Sequence, residues 1–325
     1  MENIRAALEA RQVWIYFLAI ASGALLGLAM PSIGRLEAAI NPALAIMLFA
    51  TFLQVPLAEI GSALRNLRFL AALLIANFVA MPLVAAGLLQ FLPADPMLRL
   101  AVLFVILTPC IDYVITFTHL GGGNARLLLA MTPALLMLQM LLLPVYLGVL
   151  LGGEVSSLVQ AGPFLHAFVW LIAVPLVLAG SVQALSRRMK HGAGLRTMLD
   201  LLPVPATALV LFIVLASVMP QIGLAQSAAL RAVPVYVAFA IIAPVVGRSV
   251  AGGLRLDAPS ARAVSFSASY RNSLVILPLA FAVPGGVPLL PAVILTQTMV
   301  ELCFLPVYVR WIPRLAKAGA GDESA

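Results

Sequence analysis

Ten apolar runs follow one another along the chain, near 14–30, 40–58, 69–92, 98–118, 126–151, 163–185, 199–219, 229–249, 261–283 and 288–311. A segment of about 20 apolar residues is long enough to cross a bilayer as a helix. In hydrocarbon every backbone group has to be satisfied within the protein, which leaves few folds besides helices packed side by side. Charged residues make up only 10% of the chain, against roughly a quarter in a soluble domain. The expected fold is an all-α membrane protein of ten transmembrane helices, a single domain over residues 1–325.

The basic residues test the count and set the orientation. With the N-terminus inside, the inner segments hold Arg5, Arg11, Arg65, Arg68, Arg126, Arg187, Arg188, Lys190, Arg196, Arg248, Arg255, Arg262, Arg310, Arg314 and Lys317, which is 15 of the 19 Lys and Arg residues. The outer segments hold Arg35, Arg99 and Arg231, and Arg271 falls inside a span. An excess of this size on one side follows the positive-inside rule. It places the protein in the plasma (inner) membrane with both termini cytoplasmic. Basic residues scattered over short connectors are not a nucleic-acid patch, so no nucleic-acid partner is expected. Acids mixed into the first residues (Glu2, Glu9) argue against a cleaved signal peptide.

"MLQMLLLPVY" (Met137 to Tyr146) returns 162 residues later as "MVELCFLPVY" (Met299 to Tyr308), with six of ten positions the same or similar. The copies lie five spans apart and so run in opposite directions. A five-plus-five inverted repeat, about 14–151 and 163–312, is a transporter architecture with its substrate near the midplane. The same offset sets Cys110 against Asn272 and Pro109 against Arg271. "TPCIDY" in span four and "SYRNSL" in span nine both interrupt apolar sequence at mid-span. Pro109 removes a backbone donor, and the two interruptions predict broken, crossing helices around a small polar cavity.

Asp112, Arg271 and Glu301 lie at spanning depth, where each charge costs roughly 2.5–3.5 kcal/mol even on the lenient insertion scale. Asp112 and Arg271 have opposite signs at the two breaks, so a pair between them is one arrangement open to them, and an N-cap on the second half-helix is another for Asp112. Glu301 is left to be protonated, to share Arg271 or to exchange protons with solvent. The charge state of a poorly solvated carboxyl responds to whatever shares its site, which a proton-coupled carrier requires. Cys110 is a soft ligand of a kind suited to trivalent arsenic and antimony. Cys303 is two residues, or roughly 200°, around the helix from Glu301, and is read as packing. Asn272, Ser267 and Ser269 either line the cavity or satisfy backbone groups. Two cysteines without CxxC, and His119, His166 and His191 far apart, give no disulfide framework, zinc spacing or cofactor motif. Gly121, Gly122 and Gly123 read as a tight turn.

Over essentially its whole length the chain resembles the bile acid/arsenite/riboflavin transporter superfamily, and within it most nearly the arsenite efflux permeases of the arsenical-resistance type. Those permeases carry a Pro-Cys pair in span four, as Pro109-Cys110 here, and a glutamate ahead of a proline in span ten, as Glu301 here. The resemblance implies that Cys110 meets As(III) and that Glu301 couples transport to protons; from their place at the two breaks, Asn272, Arg271 and Asp112 are expected to belong to the substrate site as well. The expected partners are membrane lipid, a small metalloid and protons. One departure is clear. The family's span nine has an Asn-Asn-x-Glu pattern where this chain has Arg271-Asn272-Ser273-Leu274, so the acid is absent from Leu274 and present at its repeat mate Asp112. The sodium-coupled bile-acid branch has a glutamate and a glutamine where Ser267 and Arg271 stand, and an arginine there implies no tight sodium dependence. Two other readings stay open. One is an organic-anion carrier, with Arg271 meeting a carboxylate. The other is an intramembrane enzyme built on Asp112, Glu301 and Cys110, which has no histidine base at matching depth.

Overall fold

Asp95 begins the part of the chain that positions everything else. In the computed structural model its carboxylate accepts the N–H groups of Met97 (2.9 Å) and Leu98 (3.2 Å), and Pro96 follows in the first helical turn. Cap and proline together start a helix whose first N–H groups have no helical partner. The structure describes residues 2–30, 36–55, 61, 65–152, 162, 165–166, 168–186, 199 and 201–318. Among these all the regular elements are helices, without strands. Arg35, Arg187, Arg188, Lys190, His191 and Arg196 lie outside the described residues.

Twelve helices are described. They are α1 (Glu2–Ala29), α2 (Glu37–Gln54), α3 (Leu67–Phe91), α4 (Pro96–Ile106), α5 (Val114–Leu120), α6 (Ala125–Leu151), α7 (Val174–Ser186), α8 (Pro203–Val218), α9 (Ile222–Gly253), α10 (Ala258–Ser269), α11 (Ser273–Ala282) and α12 (Leu289–Ala318). Six of them, α1, α2, α3, α6, α9 and α12, contain a stretch long and apolar enough to cross a membrane. Of the remaining expected spans, 98–118 and 261–283 are each cut into two short helices, and 163–185 and 199–219 hold the shorter apolar helices α7 and α8. Large apolar side chains such as Leu18, Leu83, Leu141, Val149 and Val177 face outward. In water so many would be a liability; against lipid tails they are at home. The protein is a multi-pass membrane protein.

The helices pack as two groups. In one, α8 lies against α1 and α2, and α7 packs on α2. In the other, α9 holds α10 and α12, while α12 also covers α4 and α11. Small residues set the closest approaches. A Cβ on Gly23 would stand 2.5 Å from the Phe212 carbonyl oxygen, and one on Gly27 would stand 2.7 Å from that of Ala216. This is a GxxxG contact between α1 and α8. In the second group a Cβ on Gly247 would meet Ala268 and Ser265 at 2.9 Å, which brings α9 onto α10.

Several fixings recur at the 162-residue offset. Asp257 accepts the Ser260 N–H at 3.4 Å and starts α10 as Asp95 starts α4. The Tyr146 hydroxyl donates to the Phe78 carbonyl at 2.5 Å, and Tyr308 donates to that of Ala240 at 2.8 Å. The glycine turn after α5 also forms. Gly122 takes φ +66°, and Asn124 caps α6 through the Leu127 N–H.

Candidate functional site

Helix α4 is buried from Leu100 to Ile106, where it stops. Pro109 has no N–H to offer the preceding turn, and the Thr108 hydroxyl folds back onto the Phe104 carbonyl at 2.8 Å. Helix α10 stops at Ser269. The two loose ends cross and bond to each other. Cys110 N–H donates to Tyr270 O at 3.0 Å, and Asn272 N–H donates to Thr108 O at 2.8 Å, forming an antiparallel bridge between Pro109 and Arg271. Each break thus supplies one of the other's missing partners, which is what irregular backbone inside a membrane requires. Asn272 then caps α11, accepting the Val275 N–H at 3.4 Å, and its own amide nitrogen is buried without a partner.

The chemistry-bearing side chains gather around this crossing. The Cys110 thiol, 1% exposed, donates to Asp112 Oδ1 at 2.7 Å, and the same oxygen accepts the Tyr113 N–H at 2.7 Å. The Tyr113 hydroxyl donates to Glu301 Oε1 at 2.6 Å. Glu301 Oε2 accepts the Arg271 backbone N–H at 2.9 Å and the Gln297 amide at 2.6 Å. Glu301 is 2% exposed. A hydrogen-bonded path therefore runs from thiol to carboxylate to the tyrosine backbone, and onward from the tyrosine hydroxyl to the second carboxylate. Tyr16, Tyr113, Tyr270 and Tyr308 follow one another through it in tilted and edge-to-face contacts, with ring centroids 5.5–6.1 Å apart.

Beside this path lies a small, partly open cavity, lined by residues that include Gln12, Tyr16, Thr51, Asp112, Tyr113 and Thr207. It sits where α1, α2 and α8 meet the start of α5. Asp112 is the one acid among its described lining residues, and none of them is basic. Asp112 separates Cys110 from the cavity, and Tyr113 does the same for Glu301.

Two sequence readings are corrected here. Asp112 and Arg271 do not pair. The Arg271 guanidinium is wholly buried and turned to the Ile106 carbonyl (3.1 Å), Asn77 Oδ1 (3.0 Å) and the carbonyls of Ser267 (2.9 Å) and Ala268. Its carbon stands 5.3 Å from the Phe239 ring centroid. Buried carbonyls freed by the break outcompete a carboxylate that already holds a thiol and an N–H. Cys303 is turned away from Glu301 but is exposed on the outside of α12 rather than packed. Sequence reasoning also passed over Tyr113, Gln297, Asn77 and Phe239. Gln297 stands one helical turn before Glu301, a spacing that puts both on one face, and Asn77 is a lone amide in an apolar run.

Residues 41–227, more than half of the chain, match the Sodium Bile acid symporter family. The chain belongs to that family. No curated protein matches it. Family members are transporters, so the protein is a secondary transporter of the bile acid symporter superfamily. The matched segment carries Asn77, Pro109, Cys110 and Asp112, whereas Arg271, Asn272 and Glu301 lie beyond it.

Proposed function

We propose that the protein exports trivalent arsenic, as arsenite and antimonite-like neutral hydroxides, by exchange for protons. The observation that carries this reading is the Cys110 thiol hydrogen-bonded to Asp112 at the wall of a polar cavity. A thiol beside a carboxylate suits a thiophilic centre. As the sulfur bonds arsenic, one As–O bond breaks, and the thiol proton passes through Asp112 to the departing hydroxide, which leaves as water. The step reverses without a redox partner, and one sulfur holds arsenic loosely enough for release. Glu301 serves as the coupling acid. Its proton reaches the cavity through the Tyr113 hydroxyl.

The organic-anion alternative requires a cation facing the cavity. Arg271 faces its own carbonyl cage instead, and Asp112 would repel a carboxylate. In the orientation expected from the basic residues, the cavity opens toward the cytoplasm, where a substrate for export would enter. The recurring caps, tyrosine bonds and reciprocal bridge at the 162-residue offset support a five-plus-five inverted repeat. The two helix groups would then rock against each other about the site.

Arsenite uptake into everted membrane vesicles under an imposed proton gradient tests the proposal. Uptake driven by the gradient and lost in Cys110→Ala is expected. Uptake that ignores the gradient, or equal uptake by Cys110→Ala, overturns it.

A further inference from the structure

Gln139 stands 162 residues before Glu301, at the offset of the repeated sequence, and lacks every kind of partner that Glu301 has. Glu301 is held by three donors, the Arg271 N–H, the Tyr113 hydroxyl and the Gln297 amide. At the same offset these become Pro109, Val275 and Leu135. Proline has no N–H, and the valine and leucine side chains have no polar atom. The two helices are nonetheless set alike. Tyr146 follows Gln139, and Tyr308 follows Glu301, by seven residues, a spacing that keeps each pair on one face. The two tyrosine hydroxyls donate to matching carbonyls, of Phe78 and Ala240, and α6 packs on α4 and α10 as α12 does. Gln139 is therefore turned into the protein. It is 1% exposed, and among the described residues neither its amide nitrogen nor its oxygen has a hydrogen-bond partner. A buried amide with both ends unanswered is costly in a dry interior and calls for a reason.

We propose that Gln139 is a second binding residue for the neutral hydroxylated cargo, on the outer side of the crossing, and that it meets that cargo only when the protein opens outward. The inference rests on the inverted repeat and the orientation proposed above. Glu301 is reached from the inner cavity through Tyr113, at the start of α5, which runs to the glycine turn. The counterpart of Tyr113 is Val275, on α11, which runs the opposite way. Where α11 ends, a smaller hollow lies between Ser217 and Val218, at the far end of α8 from Thr207, and Phe281 and Pro288. Gln139 lines neither this hollow nor the inner cavity, so in the present state it is shut off from both. An amide suits the task. It both donates and accepts, as each hydroxyl of the cargo does. It carries no exchangeable charge, which leaves proton coupling to Glu301 alone. Its cost while dry also favours leaving this state, because its first partners arrive when the outer side opens.

Three measurements on the full chain test this. Gln139→Cys in a Cys303→Ser background is expected to react with a membrane-impermeant methanethiosulfonate faster in whole cells than in everted vesicles, each corrected for Cys303→Ser alone. Gln139→Met keeps the length of the side chain and removes both polar atoms. In detergent it is expected to melt at the temperature of the unsubstituted protein or up to about 4 °C above it, whereas an amide that serves only the packed structure would melt lower when replaced. In gradient-driven arsenite uptake, Gln139→Met is expected to lower the maximal rate by about fivefold or more, with KM at the cytoplasmic face within about twofold. Gln139→Asn, which keeps an amide, is expected to recover much of that rate. Labelling that is absent from outside or faster from the cytoplasmic face, a lower melting temperature for Gln139→Met, or an unchanged maximal rate overturns the proposal. If the unsubstituted protein transports no arsenite, the metalloid reading fails instead, and labelling and melting still decide the role of Gln139.

Discussion

Tyr113 gives the site its direction. Its N–H holds Asp112 and its hydroxyl holds Glu301, so one residue touches both carboxylates from opposite ends. Tyr113→Phe removes only the hydroxyl. Gradient-driven arsenite uptake in vesicles is expected to fall at least tenfold, while metalloid binding to purified protein stays within about twofold, since a general acid–base relay is worth 10²–10⁴-fold. Asp112→Asn leaves a hydrogen-bond acceptor for the thiol but no base. Uptake is expected to slow without loss of the Cys110 requirement, measured as the difference between the single variant and the double variant with Cys110→Ala. Cys110, Asp112 and Glu301 were legible because a charge or thiol in a long apolar run has to be explained. The Asp112–Arg271 pair was not, because opposite signs at mirrored positions say nothing of which way each side chain turns. Arg271 turned toward carbonyls whose donors had been drawn off by the other break, a fact that exists only in three dimensions.

At the scale of the element, glycines and caps hold the helices in place. Gly23 and Gly27 let α1 reach the backbone of α8. Gly27→Leu drives a branched side chain against the Ala216 carbonyl and is expected to cost roughly 1–3 kcal/mol, read as a lower melting temperature in detergent. Gly148→Leu, on α6 with nothing within 4 Å of its Cβ, is the control and should melt with the parent. Asp95→Ala and Asp257→Ala each remove a cap and are expected to cost about 1 kcal/mol. Breaks in α4/α5 and α10/α11 were foreseeable from Pro109 and from polar residues at mid-span. The π turn at Ala76–Ala80, which precedes Pro82 and carries Asn77, was not, because hydropathy is blind to one extra residue per turn.

At the scale of the molecule, the cavity is walled by α1, α2 and α8 of the first helix group on one side and by Asp112, Tyr113 and Thr116, beside the crossing, on the other. Thr207→Cys in a Cys303→Ser background places one accessible thiol on the α8 side of that space. A membrane-impermeant maleimide is expected to label it from the cytoplasmic side and not from the outside, and arsenite is expected to slow the labelling. Labelling from outside alone would reverse the proposed orientation. The all-helical membrane character was open to reading because it follows from hydropathy. The grouping of α1, α2, α7 and α8 was not, because helices far apart in sequence choose their neighbours by shape. The crossing between the breaks is held by only two main-chain bonds, one given by each strand. Deleting or adding a single residue beside Pro109 or Arg271 would shear both bonds together. The peptides on the two sides are therefore locked to a common length, and relatives of this chain should vary there in which residues they carry far more freely than in how many.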